Sequence, residues 1–235
     1  MTGPRDINTR GDLRSFGRRR GRKPSNRQEH LLAELLPKLS VELKTAPPDE
    51  LAALFEGTRC TDTWLEIGFG GAEHLVWQAE HNPNIAMIGA EPFEDGVVKA
   101  LAAIEDKGLK NIRLHADDVR PLLRWLREAS IGRAFILFPD PWPKKKHVKR
   151  RLVSVQLFAL LARVMKKGAR LRIATDIGDY ARTVLLAATQ SPHFRWLADG
   201  PEAWRSQPPD WPGTRYQAKA IREGRRCYFL QFERL

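Results

Sequence analysis

Apolar positions along the chain follow two periods that alternate. Thr63-Trp64-Leu65-Glu66-Ile67, Ile85–Ala90 and Ala134-Phe135-Ile136-Leu137-Phe138 are short, nearly continuous apolar runs bounded by glycine or polar residues. Such runs read as buried strands, and 134–138, the most apolar, reads as a central one. Between them Leu75, Val76 and Ala79 follow helical spacing, and Val97, Leu101 and Ile104 lie at i, i+4 and i+7 before a stop at Gly108. The pattern predicts further strands over 111–116, 171–174, 194–197 and 227–233, and a helix over 180–189. A helix is also predicted over 152–165, closed by Lys166-Lys167-Gly168, basic residues followed by a capping glycine. Residues 199–213, with Pro201, Pro208, Pro209 and Pro212, read as a loop.

Strand and helix alternating from 63 to 190 imply βαβ units and a mostly parallel sheet with helices on both faces. The two late strands, with no helical run of comparable length between them, imply an antiparallel C-terminal end. The expected fold class is therefore α/β, doubly wound and Rossmann-like. A length of 235 residues favours one domain. We place it over 26–235, behind a tail over 1–25 that contains Arg18-Arg19-Arg20-Gly21-Arg22-Lys23. Like charges at that density resist packing, so the tail is expected to be disordered alone and to order on RNA.

Composition narrows the function. At 42% hydrophobic residues the chain as a whole is not a disordered one. Its two cysteines, Cys60 and Cys227, form no CxxC pair, which argues against a disulfide scaffold and fits a reducing cytoplasm. No run is apolar and long enough to span a bilayer, and no secretory h-region is present; the Arg-rich start leaves a transit peptide open. No GxSxG, HExxH or GxxxxGK[ST] motif occurs, so no metal site and no nucleophile chemistry is expected. The net charge of +12 points to a polyanionic partner, nucleic acid before membrane, because no basic helix with a clean apolar face stands out.

In an open α/β sheet, ligands bind beyond the carboxyl ends of the strands. The first strand ends in Glu66-Ile67-Gly68-Phe69-Gly70-Gly71-Ala72-Glu73. Gly68 and Gly70 permit a tight turn close to a ligand. A dinucleotide loop would need glycine where Glu73 stands, and an acid there repels pyrophosphate. S-adenosylmethionine has no phosphate, and its loop has an acid two residues before the first glycine, as Glu66 is. A plain tight turn is the third reading. Glu91 closes the second strand 21 residues after Gly70, where a ribose diol is held. After the third strand come Asp117 and Asp118, each suited to an adenine amino group or to a helix N-cap. The fourth strand ends in Phe138-Pro139-Asp140-Pro141-Trp142-Pro143. Lys144, Lys145, Lys146, Lys149, Arg150 and Arg151 follow, six cations in eight residues. Prolines around an acid stiffen a group that holds a substrate atom, the aromatics offer faces to a base, and the cations suit phosphates. Asp176 closes the fifth strand and is expected to face the same crevice.

Leu65-Glu66-Ile67-Gly68-Phe69-Gly70, Pro139-Asp140-Pro141-Trp142, Lys149-Arg150-Arg151-Leu152, Ala174-Thr175-Asp176 and Thr214-Arg215-Tyr216 together resemble the bacterial tRNA (guanine-N7-)-methyltransferases, over about residues 14 to 235. The resemblance implies a class I S-adenosylmethionine-dependent methyltransferase fold and N7 methylation of guanine 46 in the tRNA variable loop. It implies S-adenosyl-L-methionine contacts at Glu66, Gly68, Gly70, Glu91, Asp118 and Asp140, with Asp140 also the catalytic residue. Substrate contacts are implied at Lys144, Asp176, Thr214, Arg215, Tyr216 and Gln217. RNA backbone contacts are expected at Lys145, Lys146, Lys149, Arg150 and Arg151. Two positions depart from the family pattern: Ala72 stands where glycine is usual, and Gln217 where glutamate is common. The expected partner is tRNA, with no membrane, the chain acting in the cytoplasm as a monomer or homodimer. The competing readings are another RNA base methyltransferase and a non-catalytic tRNA-binding protein that keeps the fold.

Overall fold

The computed structural model describes Arg19, Gly21 and residues 24–235. The tail expected over 1–25 therefore lies almost wholly outside the described residues. Seven strands form one sheet: β1 Asp62–Ile67, β2 Ile85–Ala90, β3 Ile112–His115, β4 Ile131–Leu137, β5 Met165–Thr175, β6 Phe194–Trp196 and β7 Tyr228–Arg234. Their order is β3-β2-β1-β4-β5-β7-β6. Strands β1 to β5 are parallel, and β7 lies antiparallel to both β5 and β6. The chain runs outward from β1 through β2 to β3, then returns to β4 on the other side of β1. That reversal opens a crevice beyond the carboxyl ends of β1 and β4.

Helices cover both faces. One core layer packs Leu75 and Val76 of α3 (Glu73–His81) and Val97, Leu101 and Ile104 of α4 (Glu94–Lys107) against the sheet. The opposite layer uses Leu122 of α5 (Val119–Trp125), Leu157 and Phe158 of α6 (Val155–Val164), and Val184 of α7 (Gly178–Thr189). β4 divides its side chains between them: Phe135 joins the first layer, and Ala134 and Ile136 the second. A strand buried on both faces needs the unbroken apolar run that the sequence has there.

Three stretches of the chain differ from the expectation. The helix expected over 152–165 starts only at Val155, where the Ser154 hydroxyl accepts from the Leu157 N–H at 3.2 Å. Met165 then opens β5, so Lys166-Lys167-Gly168 lies inside a strand rather than at a helix end. The register shifts between the Ile131–Met165 and Arg133–Arg170 pairs, with Gly168 at φ +78° supplying the irregularity. Lys166 is held by Asp62 at 2.6 Å. The proline-rich loop contains a short helix, α8 (Glu202–Arg205), and is followed by α9 (Arg215–Arg222). Only Gln217 and Ala220 of α9 are buried, so its inward face carries no large apolar residue. Finally, α1 (Asn26–His30) runs through a π-helical turn (Leu31–Leu35) into α2 (Leu36–Leu39) and closes over the first core layer. A Ser25–Gln28 capping box marks its start. Just past α2, the Val41 N–H donates to the Leu114 carbonyl at 2.9 Å and blocks the open edge of β3.

Arg163 ties α6 to the end of α5. One of its nitrogens, Nη2, donates to the carbonyls of Leu123, Arg124 and Leu126, orphan acceptors at a helix terminus. We expect Arg163→Ala to cost about 1.5–3 kcal/mol, the range for hydrogen bonds to a charged group. Thermal unfolding should shift down by roughly 3–10 °C for a chain of this size.

Candidate active site

The crevice holds a cavity of about 400 Å³ between the ends of β1, β2 and β4. Its floor is the glycine loop. Gly68, Gly70 and Ala72 take φ of +75°, +52° and +65°, so the chain turns sharply from β1 into α3. Left-handed backbone costs alanine about 1–2 kcal/mol more than it costs glycine. That is the cost of alanine at position 72, where the resemblance implies glycine; its methyl is buried in the first core layer.

Glu91 is locked to this loop. Its Oε2 accepts from the Gly70 N–H at 2.8 Å and its Oε1 from the Phe93 N–H at 2.9 Å. Each oxygen keeps a lone pair, so the carboxylate can still receive two further hydrogen bonds from a diol. Burial pushes the Glu91 carboxyl up, the two backbone N–H groups oppose this, and the charges of Asp140 and Glu66 add to the rise. The close approach depends on Gly96 in α4, because a Cβ there would stand 2.4 Å from the Gly70 carbonyl oxygen.

Glu66, expected to touch the cofactor, is buried below the loop and does not line the cavity. It belongs to a polar chain that sequence reasoning missed. Gln78 Nε2 donates to the Asp210 carbonyl at 3.1 Å and to His74 Nε2 at 3.2 Å. His74 is then the Nδ1–H tautomer, and it donates to Glu66 Oε2 at 2.7 Å. The Asp210 carboxylate in turn takes Arg172 at 2.9 Å and Arg133 at 3.4 Å. The chain of bonds thus runs from β1 through α3 to the segment before α9. Nothing in the spacing of His74 and Gln78 distinguishes them from ordinary helix residues.

Asp118 lines the cavity and also caps α5, accepting from the Arg120 N–H at 2.9 Å and holding the Arg120 side chain at 2.7 Å. Asp117, beside it, accepts from Arg19 at 2.7 Å. Asp118 is thus the N-cap of α5 and also faces the cavity.

Asp140 sits at the cavity wall with its side chain open to the crevice. Its flanks are strained: Phe138 has φ +50° and Trp142 φ +43°. Two bulky residues in the left-handed region, separated by Pro139-Asp140-Pro141, are held there by their surroundings. The crevice walls desolvate Asp140 and push its carboxyl above the ordinary aspartate range.

The basic run divides. Lys144, Lys145, Lys146 and Lys149 are exposed, and Lys145–Arg150 form a 3-10 turn. Arg150 lines the cavity with its guanidinium 5.1 Å from the Trp142 ring centre. Arg151, expected to meet RNA, is buried instead. It donates to the Pro141 carbonyl at 3.0 Å, to Thr183 at 2.5 Å and to Asp179 at 2.5 Å, and it packs over Tyr180. With its donors so engaged, it fixes the Asp140 loop to α7 and leaves the RNA-facing set.

On the far side, Tyr216 lines the cavity and lies over Gly70. The other expected substrate residues of this segment have partners within the protein and do not line the cavity. The Thr214 hydroxyl caps α9 by accepting from the Gln217 N–H at 3.2 Å. Arg215 pairs with Glu73, and Gln217 is buried, with its Nε2 donating to Gln207 at 2.5 Å. Asp176, expected in the crevice, pairs with Arg225 at 2.7 Å and does not line the cavity.

The cavity therefore brings together Gly68, Gly70, Glu91, Asp118, Asp140, Arg150 and Tyr216. Four carboxylates line it, from Glu91, Asp117, Asp118 and Asp140. A ligand rich in phosphate would be repelled there, whereas a nucleoside bearing a sulfonium and an ammonium group would be attracted. A Cβ built on Gly68 meets nothing within 4 Å, which leaves room for such a ligand against the loop. No group of His, Cys, Asp and Glu that could hold a metal occurs among the described residues, and no described helix is long and apolar enough to cross a membrane.

A nucleoside-sized, acidic crevice at the switch point of this sheet, with an antiparallel penultimate strand, defines a class I methyltransferase. Solved structures share the fold. An antibiotic-related methyltransferase matches with TM-score 0.53 at 18% identity, covering 82% of this chain and 98% of its own. An rRNA methylase from Streptococcus thermophilus matches with TM-score 0.50 at 15% identity, covering 76% and 89%. The profile of a family described as putative methyltransferase matches residues 61–230. A tRNA (guanine-N(7)-)-methyltransferase from Ruegeria sp. (strain TM1040) is 46% identical over 93% of this chain and 87% of its own length. The corresponding protein of Hyphomonas neptunium is 46% identical over 92% and 98%. This chain belongs to the tRNA (guanine-N(7)-)-methyltransferase family.

Two outcomes test the geometry. His74→Ala leaves the Glu66 carboxylate buried without its partner and should cost about 3 kcal/mol or more, measured by denaturant unfolding. Asp140 holds its proton more tightly folded than unfolded, so it costs stability progressively as pH rises through the carboxylate range and above. Asp140→Asn should therefore unfold at a higher temperature than the unsubstituted chain near neutral pH. That gap should close only below about pH 3, where both states are protonated.

Proposed function

We propose that this protein transfers a methyl group from S-adenosyl-L-methionine to N7 of a guanine in tRNA, the guanine being position 46 of the variable loop. The observation that carries this reading is the placement of Asp140. It is fixed by prolines and left-handed residues on the wall of the same cavity that contains the Glu91 cradle. S-adenosyl-L-methionine supplies a methyl carried on a cationic sulfur and displaced in line. Among this chain's residues, Glu91 would hold its ribose, and Asp118 and Asp140 would meet its remaining polar groups. Glu66 would act from beneath the loop through the shape it imposes on Gly68 and Gly70.

Guanine N7 has a free lone pair in the ring plane, so no residue need remove a proton before attack. The ring gains positive charge as the new bond forms. The Asp140 carboxylate, positioned in a partly desolvated wall, stabilises that charge and accepts hydrogen bonds from the guanine edge. Trp142 and Tyr216, both lining the cavity, offer faces to the base and exclude water around it. A base must leave its stack to reach such a site, which suits a loop position better than a paired one. Lys145, Lys146 and Lys149 grip the backbone beside it, with the tail over 1–25 adding further charge. We place the reaction in the cytoplasm, where tRNA is available.

Labelled S-adenosyl-L-methionine and unmodified tRNA, followed by digestion and mass spectrometry, should yield 7-methylguanosine. A different methylated nucleoside would move the activity to another RNA base. Asp140→Ala should lower kcat on the order of 100-fold, as loss of one charge-stabilising group does. Full turnover with normal tRNA affinity would remove Asp140 from its role. Lys145→Gln, Lys146→Gln and Lys149→Gln combined should flatten the log–log dependence of tRNA affinity on salt by about 2.

A further inference from the structure

Some exposed cations of the described surface find carboxylates, and others, such as Lys38, Arg59, Lys99 and Arg182, have none within ion-pair distance among the described residues. Arg127 pairs with Asp49 at 2.7 Å, Lys107 with Glu80 at 2.6 Å, and Arg27 with Asp106 at 2.5 Å. The two sides of the crevice mouth gather several cations of the second kind. On the β4 side, Lys144, Lys145, Lys146 and Lys149 are exposed with no carboxylate within ion-pair distance among the described residues. The opposite side is formed by α9. It turns Gln217 and Ala220 inward, while its outer face presents Lys219 and Arg222, and the chain continues to Arg226. Lys219 reaches Glu223 only at 4.0 Å, and Arg222 and Arg226 have no carboxylate partner among the described residues. Across 215–226 five cations face one carboxylate, Glu223, so the local charge cannot be neutralised within the segment.

The helix macrodipole favours cations in a last turn and accounts for part of Lys219 and Arg222. It does not account for Arg226, which lies beyond the helix. Nor does it explain why this face starts at the cavity. Tyr216, one turn before Lys219 and Ala220, lines the same cavity as Trp142 and Arg150 of the opposite side. Unpaired cations therefore flank the cavity on both sides.

We propose that the outer face of α9 and its continuation to Arg226 form a second phosphate-binding surface. It would hold the RNA backbone on the opposite side of the reacting base from the 144–150 run. The inference rests on the functional reading above and adds the surface that completes it. An RNA strand crossing the mouth places phosphates on both flanks while one base enters between Trp142 and Tyr216. Phosphate contacts position without reading sequence, so this surface acts alike on every tRNA that presents the base.

The test is a triple variant, Lys219→Gln, Arg222→Gln and Arg226→Gln. Its tRNA affinity is measured from about 50 to 300 mM salt, alongside S-adenosylhomocysteine binding by calorimetry. The expected result is a log–log salt slope shallower by about 2, with a tRNA dissociation constant raised about tenfold or more near 150 mM. KM for tRNA should rise by more than kcat falls, and the affinity for S-adenosylhomocysteine should stay as it was. Combining it with the three lysine substitutions on the other flank should sum the two slope changes. The charge-conserving triple, Lys219→Arg, Arg222→Lys and Arg226→Lys, should keep the original slope. An unchanged slope in the Gln variant, while the unsubstituted chain binds and methylates tRNA, overturns the surface alone. Loss of thermal stability with an unchanged slope assigns these cations to the helix terminus and overturns it equally. An unsubstituted chain without measurable affinity for tRNA overturns the functional reading, and the surface with it.

Discussion

The Glu91 carboxylate, pinned by two backbone N–H groups, is the interaction on which the rest of the site depends. One bond comes from Gly70 in the loop after β1 and the other from Phe93, the residue before α4. Through one side chain the end of β2 is joined to both elements that form the cavity floor. The arrangement requires left-handed backbone at Gly70 and no side chain at Gly96, and the sequence has glycine at both positions. The burial that makes Glu91 a rigid post also makes its charge costly, and the donated hydrogen bonds offset part of that cost. A cationic cofactor would offset more of it, so an apo site of this kind is held at some expense to stability in readiness for its ligand.

Charge is sorted by depth. Carboxylates occupy the cavity, and the lysines and arginines that would meet RNA stand around its mouth. A methyl donor that is positive and an acceptor that is polyanionic demand opposite fields within a few residues of each other. The Pro139-Asp140-Pro141 turn marks the boundary between them, and Arg151 shows how it is held. That guanidinium sits in a run of surface cations but is turned inward to the Pro141 carbonyl and to α7. The wall bearing Asp140 is thereby anchored by a cation that RNA does not touch.

The sheet was legible in the sequence wherever one residue pattern had one cause. β2 matches its expected bounds because an apolar strand flanked by polar turns has no competing reading. The 152–165 segment misled because helix and strand follow without a break: Val164 ends one and Met165 begins the other, both apolar. α9 escaped because its inward face needs only Gln217 and Ala220. At the site, residues whose geometry is set by the backbone, such as Gly70, Glu91 and Asp140, lie where the strand ends implied. Residues whose role depends on tertiary partners did not: Arg151, Asp176 and Thr214 carry the right chemistry for RNA, yet Asp179, Arg225 and the α9 backbone claim them first. His74 left no trace in the sequence because a buried histidine opposite a carboxylate is a fact of packing alone.

The position of β7 bears on how the molecule assembles. It lies between β5 and β6, and the three-residue β6 has no other strand partner in the sheet. The glycine loop, Glu91 and α4 come from neighbouring stretches of chain, and contacts of that kind form early and cheaply. β7 must close a loop of more than fifty residues back to β5 before β6 gains its strand partner and α8 its packing surface. The cofactor side is thus built from the fast-forming half of the protein and the Tyr216 side from the slow half. Transient opening should follow the same division, with amide protons of β6, α8 and α9 exchanging before those of β1 and β4. The face that must admit and release a bulky polymer is then the face that opens most readily, while the small-molecule cradle stays shut.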